Sequence, residues 1–131
     1  MRLPSVAMLC GALLAAHPAA GQDAGRGELL YEQRCSACHS LDADRTGPRH
    51  RGVFGRRAGS VDGFAYSLAL RRSAIVWQRA TLDAWLVNPE ALIPGQRMGY
   101  SVDNAVDRAD IIAYLRQVSP LANESQTGKQ R

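Results

Sequence analysis

Lysine occurs once in the 131 residues, at Lys129, so any positive surface patch must be built from the fifteen arginines. Cysteine occurs three times. That is too few for a disulfide-dense scaffold, and an odd number cannot all pair with one another. No apolar run reaches the ~20 residues a bilayer-spanning helix needs, which argues against a permanent membrane span. Alternating strand patterns, internal repeats and a second domain are also missing. What is present is 46% apolar and 21% charged residues, with a net charge of +4 and two Trp, four Tyr and two Phe in periodic segments. Low-complexity disorder is therefore excluded, and the size suits one small basic domain.

The first residues account for part of the cysteine count. Arg2 gives a positive start, Val6 to Ala16 is a short apolar stretch, His17-Pro18 breaks it, and Ala19-Ala20-Gly21 offers small residues for cleavage. This is the pattern of a secretory signal peptide over residues 1–21. Cys10 lies inside the apolar stretch and leaves with it. The 110 residues from Gln22 then carry two cysteines and a net charge of +3. Only 23 of them are Leu, Ile, Val or Phe. That is close to the ~20% below which chains tend not to fold, so such a domain needs extra core material or a staple.

Along residues 22–118 the reading is all-α. Ala24 to Arg34 carries Leu29, Leu30 and Tyr31 among charges and reads as an amphipathic helix running into Cys35. Thr46 to Gly63 holds five glycines after its first residue and several arginines, which is loop chemistry. Tyr66 to Arg72 suits a short helix. Thr81 is placed to cap a helix over Leu82 to Val87, with Asn88-Pro89 ending it. Asn104 is placed to cap a last helix to Val118, which shows Ile111, Ile112, Leu115 and Val118 on one face. Residues 119–131 form a polar tail. Three to five short helices with long loops need something to wrap.

Cys35-Ser36-Ala37-Cys38-His39 is C-x-x-C-H, the attachment signal of c-type haem. Two thiols on adjacent turns can add to the two vinyl groups of one haem, and the following His is placed under the iron. A zinc site would need a second Cys or His pair. A thioredoxin-like pair would need a βαβ context, and a disulfide between Cys35 and Cys38 would close a tiny loop. Met1 and Met8 lie in the export segment, so Met98 is the only thioether left for the other side of the iron. It follows the turn Pro94-Gly95-Gln96-Arg97, which suits a presented ligand.

The order of these motifs resembles the class I cytochromes c, especially the mitochondrial-like bacterial members. Gly27 and Tyr31 precede Cys35–His39. Gly47-Pro48, Gly52-Val53-Phe54-Gly55-Arg56, Gly63-Phe64-Ala65-Tyr66-Ser67 and Trp77 follow. Thr81–Leu86, Asn88-Pro89, Ile93–Met98 and Arg108–Leu115 complete the match. The resemblance implies a class I cytochrome c fold around one haem c held by Cys35 and Cys38, with His39 and Met98 as iron ligands. It implies that the Pro48 carbonyl accepts from His39, and that Arg56, Tyr66 and Trp77 sit near the haem propionates. Gly27 and Tyr31 would pack the first helix across the last, against Ile111 and Tyr114. Three features depart from the pattern. His50 stands where the family has an apolar residue, commonly Leu; solvent, a propionate or the iron are its candidate partners, the first two favoured. Trp85 stands where Tyr is frequent beside the Met ligand, and an indole donates but cannot accept. The family's lysine-rich face is missing as lysine, and Arg34, Arg71, Arg72 and Arg97 are the candidates to supply a positive face instead.

The function implied is a soluble periplasmic one-electron carrier, not an enzyme. It would be monomeric, meeting redox donors and acceptors through their acidic surfaces, with no nucleic-acid partner. The alternatives are a haem c subunit of a periplasmic oxidoreductase, or a ligand-binding or peroxidase-like haem protein hinted at by His50 and Trp85.

Overall fold

The computed structural model describes residues 22–120. The expected signal peptide and residues 121–131 of the tail lie outside the described residues. Five helices follow one another: α1 (Ala24–Arg34), α2 (Leu68–Arg72), α3 (Arg79–Val87), α4 (Pro89–Leu92) and α5 (Ala105–Gln117). Among the described residues there are no strands, and one isolated antiparallel bridge joins Arg57 to Val76. The all-α expectation holds, with the helix count at the upper end of its range.

α1 starts where Asp23 accepts the Arg26 N–H at 3.0 Å, which satisfies one of the donors a helix start leaves open. α5 starts the same way, with Asn104 accepting from Val106 at 2.9 Å and Asp107 at 3.0 Å. These two helices make the main helix–helix contact of the fold. Gly27 permits it. A Cβ on that residue would lie 2.6 Å from the Asp110 carbonyl carbon and 3.0 Å from the Tyr114 Cβ, so α5 backbone occupies the space a side chain would need. Tyr31 packs on Tyr114 with ring centroids 5.4 Å apart, and Ile111 is buried beside them.

A charged clasp closes the edge of this crossing. Arg26 pairs with Asp107 and, at 2.5 Å, with Asp110. Asp110 also accepts the Asp23 N–H at 2.9 Å. Burying a carboxylate requires such partners, and Asp110 is 2% exposed. Arg34 reaches the other oxygen of Asp107 at 3.3 Å.

The short helices differ from expectation at their starts. α2 begins at Leu68, because Ser67 is its cap and accepts the Leu70 N–H at 3.2 Å. α3 begins at Arg79, so Thr81 is not the cap but a residue of the first turn. Its hydroxyl reaches back, accepting the Gln78 N–H at 2.8 Å and donating to the Val76 carbonyl at 2.7 Å. Asn88 ends α3 as expected, and it also opens α4 by accepting the Ala91 N–H at 3.1 Å. Pro89 fits the first position of α4 because its missing N–H would have no partner there.

The loops from 40 to 66 are tied down by single bonds, not ladders. Gly55 N–H donates to Trp77 at 2.7 Å, Ala58 to Ile75 at 2.8 Å, and Trp77 to Arg56 at 2.8 Å. Ser119, at the end of α5, accepts the Phe54 N–H at 3.0 Å and donates to Leu115 at 2.7 Å. Loops and helices together enclose one apolar interior.

Gly27→Ala is expected to force the α1–α5 crossing apart and cost about 1–3 kcal/mol, as overpacking does. A urea titration reads this directly, and an unchanged midpoint would contradict the packing described.

Candidate functional site

A cavity of about 430 Å³ runs through the interior. Its walls include Val53, Leu70, Leu82, Leu86 and Leu115, all buried against the core. All eight residues singled out from the sequence line it: Cys35, Cys38, His39, Pro48, Arg56, Tyr66, Trp77 and Met98. They come from α1's end, three loops and the segment after α4, so the fold gathers them from across 64 positions of sequence.

The proximal side is built from a turn. Beyond α1 the Cys35 carbonyl accepts from both Cys38 at 3.1 Å and His39 at 2.9 Å. This tight turn delivers both sulfurs and the imidazole to the same cavity. Cys35 and Cys38 are not joined in a disulfide. As a thiol, Cys35 is pushed up to about 11, above all by burial.

The His39 ring is confined. Its Nδ1 lies 2.8 Å from the Pro48 carbonyl oxygen. A carbonyl only accepts, so Nδ1 carries the proton and Nε2 keeps its lone pair. Burial lowers the imidazole below its ordinary value, against the smaller opposing effect of Pro48, so the ring is neutral. Gly47 closes over it. A Cβ there would lie 2.5 Å from Nδ1 and 2.6 Å from Nε2.

On another wall, Gly95 at φ +88° turns the chain after Pro94. Glu90 secures that turn by accepting the Gly95 N–H at 2.9 Å. The Gln96 side-chain oxygen accepts the Met98 N–H. Trp85 Nε1 donates to the Met98 sulfur at 3.2 Å. A thioether can only accept, and the indole, unlike a hydroxyl, has no acceptor lone pair to offer a further donor. Trp85 is braced by Trp77, with centroids 5.2 Å apart.

The polar wall holds Arg56, Tyr66 and Trp77. Arg56 donates to the Arg51 carbonyl at 3.1 Å and the Arg49 carbonyl at 2.8 Å. Among the described residues no carboxylate lies within ion-pair distance of it. Burial, mainly, lowers its affinity for its proton. The Tyr66 hydroxyl accepts from Val61 at 3.3 Å, and burial raises its phenol above the usual range. A cation and hydroxyl and indole donors on one wall suit an acidic group entering the cavity.

His50 is where the sequence reading was least informative. It lines the same cavity. It stacks on His39 at 3.9 Å and 20°, and its Nδ1 lies 3.1 Å from the Tyr31 hydroxyl. The cause is a backbone pairing in which His50 N–H donates to Ser40 and Arg51 N–H to Leu41, each at 2.9 Å. Burial, then the neighbouring His39 and Arg56, lowers His50 well below its ordinary value. Gly47 and this stack were not assigned a role from sequence. Only the position of Gly47 beside Pro48 hinted at one. Of the expected basic face, Arg34 and Arg97 border the cavity, while Arg71 and Arg72 end α2 away from it.

The donor set and the largely apolar lining fit a macrocycle with acidic edges, joined to two thiols and carrying a metal that accepts imidazole and thioether donors. Comparison with known proteins agrees. The family model described as Cytochrome c matches residues 24–119. Cytochrome c of Euglena viridis is 43% identical over 97 residues, 72% of this chain and 95% of that protein. Cytochrome c 2.1 of Caenorhabditis elegans is 43% identical over 96 residues, 71% of this chain and 86% of that protein. The solved structure of cytochrome cH from Methylobacterium extorquens superposes with a TM-score of 0.69 at 38% identity, covering 72% of this chain and 98% of that one.

Gly47→Ala is expected to push the His39 ring away from Pro48. Nitrogen NMR of the histidines should show loss of the strongly bonded Nδ1–H, with stability reduced by about 1–3 kcal/mol. An unchanged Nδ1–H signal would contradict the confinement of the ring.

Proposed function

The chain belongs to the cytochrome c family, with the class I fold, and we propose that it is an exported one-electron carrier in which His39 and Met98 would hold the haem iron. As in its family, it carries one haem c through Cys35 and Cys38 and transfers electrons without transforming a substrate. The haem supplies an iron that takes up and releases one electron at a time. The observation that carries the ligand assignment is the joint presence, on one cavity, of His39 with its Nδ1 committed to Pro48 and Met98 with its sulfur presented by a turn.

Each side chain then has a role. Pro48 orients His39 and raises the basicity of Nε2. A thioether and an imidazole held on one haem iron would together favour its reduced state. A sulfur has two lone pairs, so Met98 can bind a metal and still accept from Trp85. That second contact holds Met98 in place, which argues against the ligand-binding and peroxidase-like readings. Arg56, Tyr66 and Trp77 would neutralise the propionates, whose burial would otherwise be costly. The apolar walls keep water from the reacting atoms, so a change of charge there meets little solvent rearrangement.

Residues 1–21 serve in this reading as a signal peptide that delivers the domain 22–118 to the periplasm, where haem attachment takes place, and 119–131 as a tail. Among the described residues no helix is long and apolar enough to cross a membrane. A monomer would meet acidic faces of redox partners at the cavity rim, where Arg34 and Arg97 lie. Such encounters are brief, small and weakened by salt. The subunit alternative has no observation in its favour.

An optical spectrum with a denaturing-gel haem stain tests the reading. Covalent haem and a far-red ferric band from sulfur–iron bonding are expected. Met98→Ala should abolish that band and lower the reduction potential; survival of the band would show that Met98 is not the ligand.

A further inference from the structure

Resting on that ligand assignment, we propose that His50 is a positioning residue that sets the plane of the His39 ring and links it to the α1–α5 crossing. The Pro48 bond fixes one atom of His39 at 2.8 Å. That bond alone leaves the ring free to swing, and Gly47, which closes over it, has no side chain to pack on its face. The second constraint is the His50 ring, stacked at 3.9 Å and nearly parallel, at 20°. Together a hydrogen bond and a stacked face define an orientation that neither defines alone.

His50 is itself anchored. The Tyr31 hydroxyl sits 3.1 Å from its Nδ1. A hydroxyl donates and accepts, so either tautomer of His50 makes this bond. Tyr31 is 2% exposed and packs against Tyr114, one turn of α1 beyond the glycine that lets the two helices touch. The backbone bonds of residues 50 and 51 to residues 40 and 41 hold the imidazole beside His39 from the other direction. A leucine at position 50 would fill the same space. It would offer no flat face and no hydrogen-bond partner for the buried hydroxyl of Tyr31. The arrangement therefore does more than pad the core: it carries the geometry of the helix crossing, through Tyr31 and His50, to an axial ligand.

The plane of an axial imidazole decides which iron d orbital it overlaps, and this appears in the spread of the four haem-methyl proton resonances of the ferric protein. The test compares holoprotein His50→Leu, His50→Phe and Tyr31→Phe with the parent, reading that spread, the reduction potential, the far-red band and the thermal midpoint. His50→Leu should alter the methyl spread and the potential while the far-red band persists. His50→Phe, which keeps a stacked ring, should stay closer to the parent pattern. Tyr31→Phe, which keeps both rings but frees His50, should change the pattern less than His50→Leu, and it serves if His50→Leu does not fold. A methyl pattern and potential unchanged in His50→Leu, or a fall in thermal midpoint alone, would overturn the proposal. Absence of the far-red band from the parent protein would instead overturn the ligand assignment beneath it.

Discussion

The shortage of large apolar side chains governs this molecule. Helices of 4 to 13 residues cannot stand alone in water, and 23 Leu, Ile, Val and Phe among 110 residues do not suffice to bury them against one another. The helices instead surround a cavity of about 430 Å³ whose walls those few residues supply. The haem is thus core material as well as cofactor. Its two covalent bonds keep it in place, and its apolar faces supply what the side chains do not. The main helix–helix contact among the described residues, α1 on α5, borders the cavity through Tyr31 and Leu115 and joins buried aliphatics, a glycine contact and an ion cluster.

Confinement is unevenly distributed around the cavity. On the His39 side the ring meets a carbonyl at Nδ1, Gly47 over the ring, and a second imidazole on a face. On the Met98 side a turn held by Glu90 and Gln96 presents the sulfur, and Trp85 touches it with a group that can only donate. Both sides use residues whose chemistry leaves one orientation open. A carbonyl cannot donate and an indole cannot accept, so neither contact can invert. The polar wall, where Arg56 has no carboxylate partner among the described residues, would be complementary to negative charge brought by a cofactor.

Local signals were legible in the sequence. The bounds of α1, the Asn104 cap of α5, the glycine loop and the C-x-x-C-H turn are each written within a few residues, and the structure has them in place. The resemblance then identified Pro48, Arg56, Tyr66 and Trp77, which share no local pattern, and all line the cavity. What was not legible depends on pairings between distant residues. Thr81 looks like a cap because caps are read from the helix side alone, whereas its hydroxyl is taken by Gln78 and Val76. The Arg26–Asp107–Asp110 clasp joins ends of the chain more than 80 positions apart. His50 was noticed as a departure, but its stack follows from a backbone pairing of 50–51 with 40–41 that no periodicity announces.

The most direct test of the haem as structural core is far-UV circular dichroism of the protein before and after the two thioether bonds are cleaved and the haem is removed. Loss of most of the helical signal, with no cooperative urea transition left, is the expected result. A haem-free chain with the helical signal and urea midpoint of the intact protein would contradict the account.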